Sequence, residues 1–269
     1  MPRASPDRDL APAEAQLLRL ADDEYVLGER YTEWQIFAPT PESDLALANV
    51  AQDEFGHARL YYDLLQEEFG YEERDLLWER DPGEFLHSPL VELETPEGDW
   101  ADTVVRGYLY DVAERLRLDA LADSSFGPLA DRVPKVQGEE DYHREHAQSW
   151  LERLTGSEDA HRRVQDAVDR LFPHALSLFA PTRFEDEIVE SGVRTRTLAE
   201  LRADWLDEVV PYLESQGLTV PEPGAVERPD AVGRDGTHTA DWAALHEAFT
   251  ATYRELGFDE PATLRSENA

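Results

Sequence analysis

Apolar residues recur at three- and four-residue spacing through seven stretches of this chain, the period of a helix with one buried face. The first, residues 12–34, carries Leu17, Leu18, Leu20, Tyr25, Val26 and Leu27. The turn APTPESD follows, with Ser43 or Asp44 as the expected cap of a second helix over 44–69. Residues 71–99 mix acids with Pro and Gly and read as a long connection, with a short helix near 74–78. A third helix is predicted over 100–122 and a fourth over 129–154, parted by Ser124-Ser125-Phe126-Gly127-Pro128, with a break expected before Pro134. Further helices are predicted over 157–179, kinked at Pro173, over 197–216, ending at Gly217, and over 241–256. No segment shows the period of two that a half-buried strand requires.

Hairpin, long crossover, hairpin is the order of a ferritin-like four-helix bundle, so an all-α fold is expected. The bundle should occupy residues 12–180, after a disordered stretch 1–11. Residues 181–269 should form a helical extension with an irregular linker, packed on the same domain.

Polar residues interrupt the apolar stripes at matched places. Glu54 and His57 lie three apart among Leu47, Val50, Ala51, Ala58, Tyr61 and Leu65. Glu140 and His143 lie three apart among Val136, Ala147, Trp150, Leu151 and Leu154. Each pair has an acid about one hairpin upstream: Glu24 is 54 − 24 = 30 residues before Glu54, and Asp111 is 140 − 111 = 29 before Glu140. Glu114, one turn beyond Asp111, is the alternative to it. A Glu and a His at i, i+3 reach one point beside a helix, and two such pairs plus two acids form the ligand pattern of a dinuclear metal site in a bundle core. The bare motif is weaker evidence, since 33 Glu and 8 His in 269 residues supply roughly one Glu-x-x-His by chance. Two further pairs read as structural: Glu84/His87 sits between prolines, and Glu158/His161 follows the helix cap Ser157. His174 reads as a core or partner-contact residue.

Uncompensated carboxylates in one core cost several kcal/mol each, and like charges push one another toward the protonated form. Divalent cations remove that cost. A metal-free hydrogen-bonded network is the alternative that spacing alone leaves open.

Composition narrows the chemistry. Acids number 59 against 25 bases, a formal net charge of −34, and Lys135 is the single lysine. That balance excludes nucleic-acid and anionic-membrane binding, which need basic patches. It fits a soluble, salt-adapted protein kept hydrated by a charged surface. With no cysteine, the ligands must be carboxylate and imidazole, which suit iron or manganese. No apolar run reaches membrane-span length, and MPRASPDRDLAPAEAQ lacks the apolar core of a signal peptide, so a cytoplasmic setting is expected.

The strings ALANVAQDEFGHARLYYDLL, DWADTVVRGYLYDVAERL, SSFGPLADRVPKVQGEEDYHREHAQSWLERL, VQDAVDRLF, VVPYLESQGLTVPEP and GRDGTHTADW resemble the phenylacetyl-CoA epoxidase family from about residue 17 to 245. The resemblance is nearer to its structural C-type component than to its catalytic one. It implies a homologous catalytic di-iron partner that binds phenylacetyl-CoA, a small companion subunit and a flavin/iron–sulfur reductase. It also implies a centre that activates O2 for insertion of one oxygen atom into the aromatic ring. C-type members of the family carry a degraded metal pattern, without the second-helix Glu-x-x-His. This chain departs from them by keeping Glu54, His57, Glu140 and His143, with Glu24 at the first-helix ligand position and Asp111 fitting the third-helix position better than Glu114. The resemblance thus leaves a loaded, a vestigial or an absent di-iron centre open, and a stand-alone di-iron oxidase or iron-binding protein as the alternative role. Arg115/Arg117, Arg132/Lys135 and Arg162/Arg163 are candidates for the CoA phosphates.

Overall fold

The computed structural model describes residues 4, 8–95, 99–227 and 229–256. Its helices are α1 (Pro12–Trp34), α2 (Pro41–Phe69), α3 (Glu73–Leu76), α4 (Pro89–Glu92), α5 (Trp100–Leu121), α6 (Gly127–Ala130), α7 (Val133–Thr155), α8 (Glu158–Ala175), α9 (Glu185–Glu190), α10 (Leu198–Ser215) and α11 (Ala240–Leu256). Among the described residues there is no strand, and no helix is long and apolar enough to cross a membrane. Helix α1 packs along α2, and α5 along α7, giving the two hairpins of a ferritin-like bundle joined by the crossover that carries α3 and α4.

Local chemistry sets the helix ends. Thr40, not Ser43 or Asp44, caps α2: its hydroxyl accepts from the Ser43 N–H at 3.2 Å, and Pro41 fills the first turn, where no N–H partner is lost. The predicted fourth helix divides into α6 and α7 ahead of Pro134, as expected. Pro173 lies inside α8, and the chain tightens into a 3-10 turn over Leu176–Phe179 where that helix ends. Thr197 and Glu200 form a reciprocal capping box at α10. The short helices α4 and α9 are absent from the expectation, since a single turn carries no periodic signal.

The stripes predicted around the acids are buried, apart from Trp150 and Leu154, which are partly so. Trp205 of α10 lies against Phe172 and donates its indole N–H to Leu109 O at 3.0 Å, fixing the extension to α5. Helix α1 differs from an ordinary amphipathic helix because it is buried nearly all round. Its second face is polar and paired with the crossover. Asp22 takes a bidentate Arg80 at 2.7 Å and 2.7 Å, and Asp23 accepts from the Ser88 N–H at 2.7 Å. The expected disorder of residues 1–11 falls largely outside the described residues; Ala4 and Leu10 are buried. Residues 257–269 of the expected extension also lie outside them.

Candidate metal centre

Four helices deliver the predicted side chains to the bundle axis: Glu24 from α1, Glu54 and His57 from α2, Asp111 and Glu114 from α5, Glu140 and His143 from α7. All seven are buried. One ligand atom each from Glu24, Glu54, His57 and Glu140 falls within 4.8 Å of the others. His57 Nδ1 stands 3.6 Å from Glu24, 3.6 Å from Glu54 and 3.4 Å from Glu140. His143 Nδ1 stands 3.4 Å from Glu140 and 3.7 Å from Glu54. Asp111 and Glu114 face the same core but lie outside that tightest group.

None of these contacts has the geometry of a hydrogen bond, and they suit atoms arranged around a cation. Both oxygens of Glu54 and of Glu140, one each of Glu24, Asp111 and Glu114, and Nδ1 of both histidines are buried without a hydrogen-bond partner. Leaving one buried polar atom unpaired costs about 1–3 kcal/mol. So many in one cavity are a poor fit to a metal-free network and a good fit to carboxylate–imidazole coordination. The cluster is compatible with a metal site.

The outer ring nitrogens carry partners that helical spacing does not announce. His57 Nε2 lies 2.9 Å from Glu139, and His143 Nε2 lies 3.4 Å from Asp53. Each acid immediately precedes the Glu of the opposite hairpin's motif, so each motif orients the other's imidazole with Nδ1 inward. The signal was present as Asp53-Glu54 and Glu139-Glu140, an acid doublet that reads as mere surface charge until the helices are paired.

Protonation follows from this crowding. Burial opposes a charge on His57, but Glu140, Glu24 and Glu54 outweigh it and hold the imidazolium far above its ordinary value. Burial is likewise overruled at His143, raised to about 12 by Asp53 and Glu140. Glu140, between the two rings, is drawn down to about 2 against the effect of burial. Burial and then Glu24 and Glu140 push Glu54 well up, and burial and then Glu140 do the same to Asp111. Glu114 rises to about 8 through burial, with Arg117 opposing. A metal-free cluster must therefore store protons that cations would displace.

A cleft lined by Tyr31, Val50, Trp100, Val104 and Gly107 reaches Asp111 and His143 and holds about 30 Å³. An apolar cavity of about 150 Å³ is what admits benzene. The proposed CoA contacts are each paired with an acid. Arg115 pairs with Asp119 and Glu208, Arg132 with Glu67, Lys135 with Glu139, and Arg162 and Arg163 with Asp159, while Arg117 points inward to Asp23 and Glu114.

Of the pairs read as structural, Glu84/His87 hides a second cluster. His87 and His238 stack at 4.2 Å, and their ring nitrogens lie 2.6 Å and 2.7 Å from Glu92 Oε2. Those are hydrogen-bond lengths, shorter than the spacing of two ligands on one ion, so the group is a latch closing the C-terminal segment onto α4. No helical spacing joins positions 87, 92 and 238, which is why the sequence concealed it.

The phenylacetic acid catabolic protein family matches residues 1–257. The chain is 34% identical over 229 residues to the C component of the 1,2-phenylacetyl-CoA epoxidase of Escherichia coli (strain K12), covering 84% of this chain and 89% of that protein. It is 32% identical over 197 residues to the A component of the same enzyme, covering 71% of this chain and 62% of that protein. A match that spans residues 1–257, and so includes the helices that build the buried cluster, identifies the chain as a member of the phenylacetic acid catabolic protein family.

Proposed function

We propose that this chain is the C-type component of a multicomponent 1,2-phenylacetyl-CoA epoxidase and that it retains a dinuclear iron or manganese centre. The similarity to a C-type component covers 84% of this chain and 89% of that protein, against 71% and 62% for an A-type component, and this carries the assignment. The buried atoms without partners carry the metal reading. Glu24, Glu54, His57, Asp111, Glu140 and His143 are the ligands in this reading. Asp53 and Glu139 hold the imidazoles in place from outside. Reduced iron supplies oxygen activation when bound; the chain supplies six ligands, a dry bundle core and fixed ring tautomers.

The 30 Å³ cleft suits a diatomic or a water and is too small for the phenyl ring of the substrate. That supports a division of labour in which a related A-type component binds phenylacetyl-CoA and this chain stabilises it. A small companion and a flavin/iron–sulfur reductase complete the assembly, in the cytoplasm.

Co-expression with an A-type component in high salt tests the assignment. The expected result is a stable hetero-complex on size exclusion whose phenylacetyl-CoA turnover survives Glu54→Ala/Glu140→Ala in this chain. Turnover by this chain alone, or no association with any A-type component, contradicts it and favours a stand-alone di-metal oxidase.

A further inference from the structure

Helix α5 presents the centre with two acids one turn apart, and they are differently engaged. Glu114 Oε2 accepts from Arg117 Nε at 2.6 Å and is also reached by Nη2. Asp111 makes no hydrogen bond or ion pair among the described residues; one oxygen of each acid, Asp111 Oδ1 and Glu114 Oε1, is buried without a partner. We propose that Arg117 is a positioning residue that holds Glu114 back and thereby makes Asp111 the α5 ligand. The inference rests on the metal reading above and extends it to a residue outside the ligand set.

Arg117 is itself fixed from three sides. Nη1 donates to Asp23 Oδ2 at 2.5 Å, and Nη2 donates to the Tyr110 hydroxyl at 3.0 Å. Tyr110 in turn donates its hydroxyl hydrogen to Glu24 Oε1 at 3.1 Å, so one guanidinium orients acids on two helices. Asp23 is pinned in turn by the Ser88 N–H and by Arg234 Nη2 at 2.5 Å. Arg234 belongs to the C-terminal segment and also donates to the carbonyls of Arg19 and Leu86. A planar fork with fixed donor directions can hold these acceptors together, whereas a lysine ammonium on a flexible stem cannot.

Charge gives an independent reason for the selection. Glu24, Glu54, Asp111 and Glu140 carry four negative charges, the number that two divalent cations neutralise. A fifth carboxylate would leave the buried centre with an unbalanced charge, which is costly in a dry interior. Arg117 and Arg234 hold Glu114 and Asp23 outside the ligand set. Helical spacing brings both acids to one side of α5; the arginine three residues after Glu114 decides between them.

The test is cobalt(II) binding to the full metal-free chain in high salt, read as stoichiometry, as affinity by chelator competition and as the visible spectrum. The wild-type chain should bind two ions. Glu114→Gln should keep both, with affinity within about threefold, while Asp111→Asn should lose one ion or weaken it by roughly 30-fold or more. Adding Arg117→Met to Asp111→Asn should restore at least about tenfold of that affinity with a shifted spectrum, because the freed Glu114 replaces the lost ligand. Glu114→Gln in that background should abolish the recovery. A Glu114→Gln loss as large as that of Asp111→Asn, or no recovery in a folded Arg117→Met/Asp111→Asn chain, overturns the proposal. Should the Arg117→Met chains not fold, Arg117→Lys replaces Arg117→Met, with the same recovery expected in the Asp111→Asn background because an ammonium on a flexible stem cannot hold Glu114, and no recovery overturning the proposal. A wild-type chain that binds no cobalt sinks the metal reading itself, a different outcome from equal effects of the two variants.

Discussion

Single residues carry the chemistry of this protein, and their partners matter as much as their identities. Glu54 and Glu140 were legible as candidate ligands from spacing, but Asp53 and Glu139, which lie against the outer ring nitrogens of the histidines, needed the pairing of two hairpins to be seen. Asp53→Ala or Glu139→Ala should lower metal affinity by about 10- to 100-fold while leaving the fold intact, measurable by chelator competition. One contribution to the pH dependence of the metal-free chain comes from Glu114, whose carboxyl is raised from 4.5 to about 8 by burial, with Arg117 opposing, and is isolated by comparison with Glu114→Gln. The folded chain keeps a proton there that the unfolded chain releases. The resulting stability is fully present below about pH 4.5 and is lost as pH rises through about 8. Calorimetry should show melting temperature falling across that window without metal and a flatter profile with metal bound. A rising profile would contradict this protonation pattern.

Elements were legible where a stripe repeats and obscure where it does not. Seven periodic stretches foretold the long helices, and Pro, Gly and Thr marked most of their ends. The period of 3.6 registers one face only, so it missed that α1 buries a second, polar face against Arg80, Arg117 and Arg234. It missed the Glu92 latch for a related reason, because pairing across 146 residues leaves no local trace. Glu92 is fully buried and accepts from two imidazoles and the Thr239 N–H. Glu92→Gln should cost about 3 kcal/mol in chemical denaturation, against less than about 0.5 kcal/mol for the exposed Glu158→Gln. Gly233 closes the same segment at φ +75°, where an added Cβ would stand 1.9 Å from His87 O. Gly233→Ala should therefore destabilise by more than about 2 kcal/mol and release the C-terminal segment, seen as faster amide exchange in α11. Wild-type exchange rates there would refute the latch.

At the scale of the whole molecule, a formal charge of −34 sets the working conditions. Self-repulsion spread over the surface is screened by salt, so raising KCl from about 0.1 M to about 2 M should raise the melting temperature by at least about 5 °C. No rise would remove the case for salt adaptation. The same charge leaves the interior as the place where cations are most needed, since the buried cluster holds more carboxylates than its histidines can satisfy. We propose that this chain keeps a working pair of metal ligand sets. Elemental analysis of chelator-free protein, purified in high salt after growth with iron and manganese, tests it most directly. The expected result is close to two metal ions per chain, falling to none in Glu54→Ala/Glu140→Ala. A folded wild-type chain that holds no iron or manganese, even after anaerobic reconstitution, would contradict it.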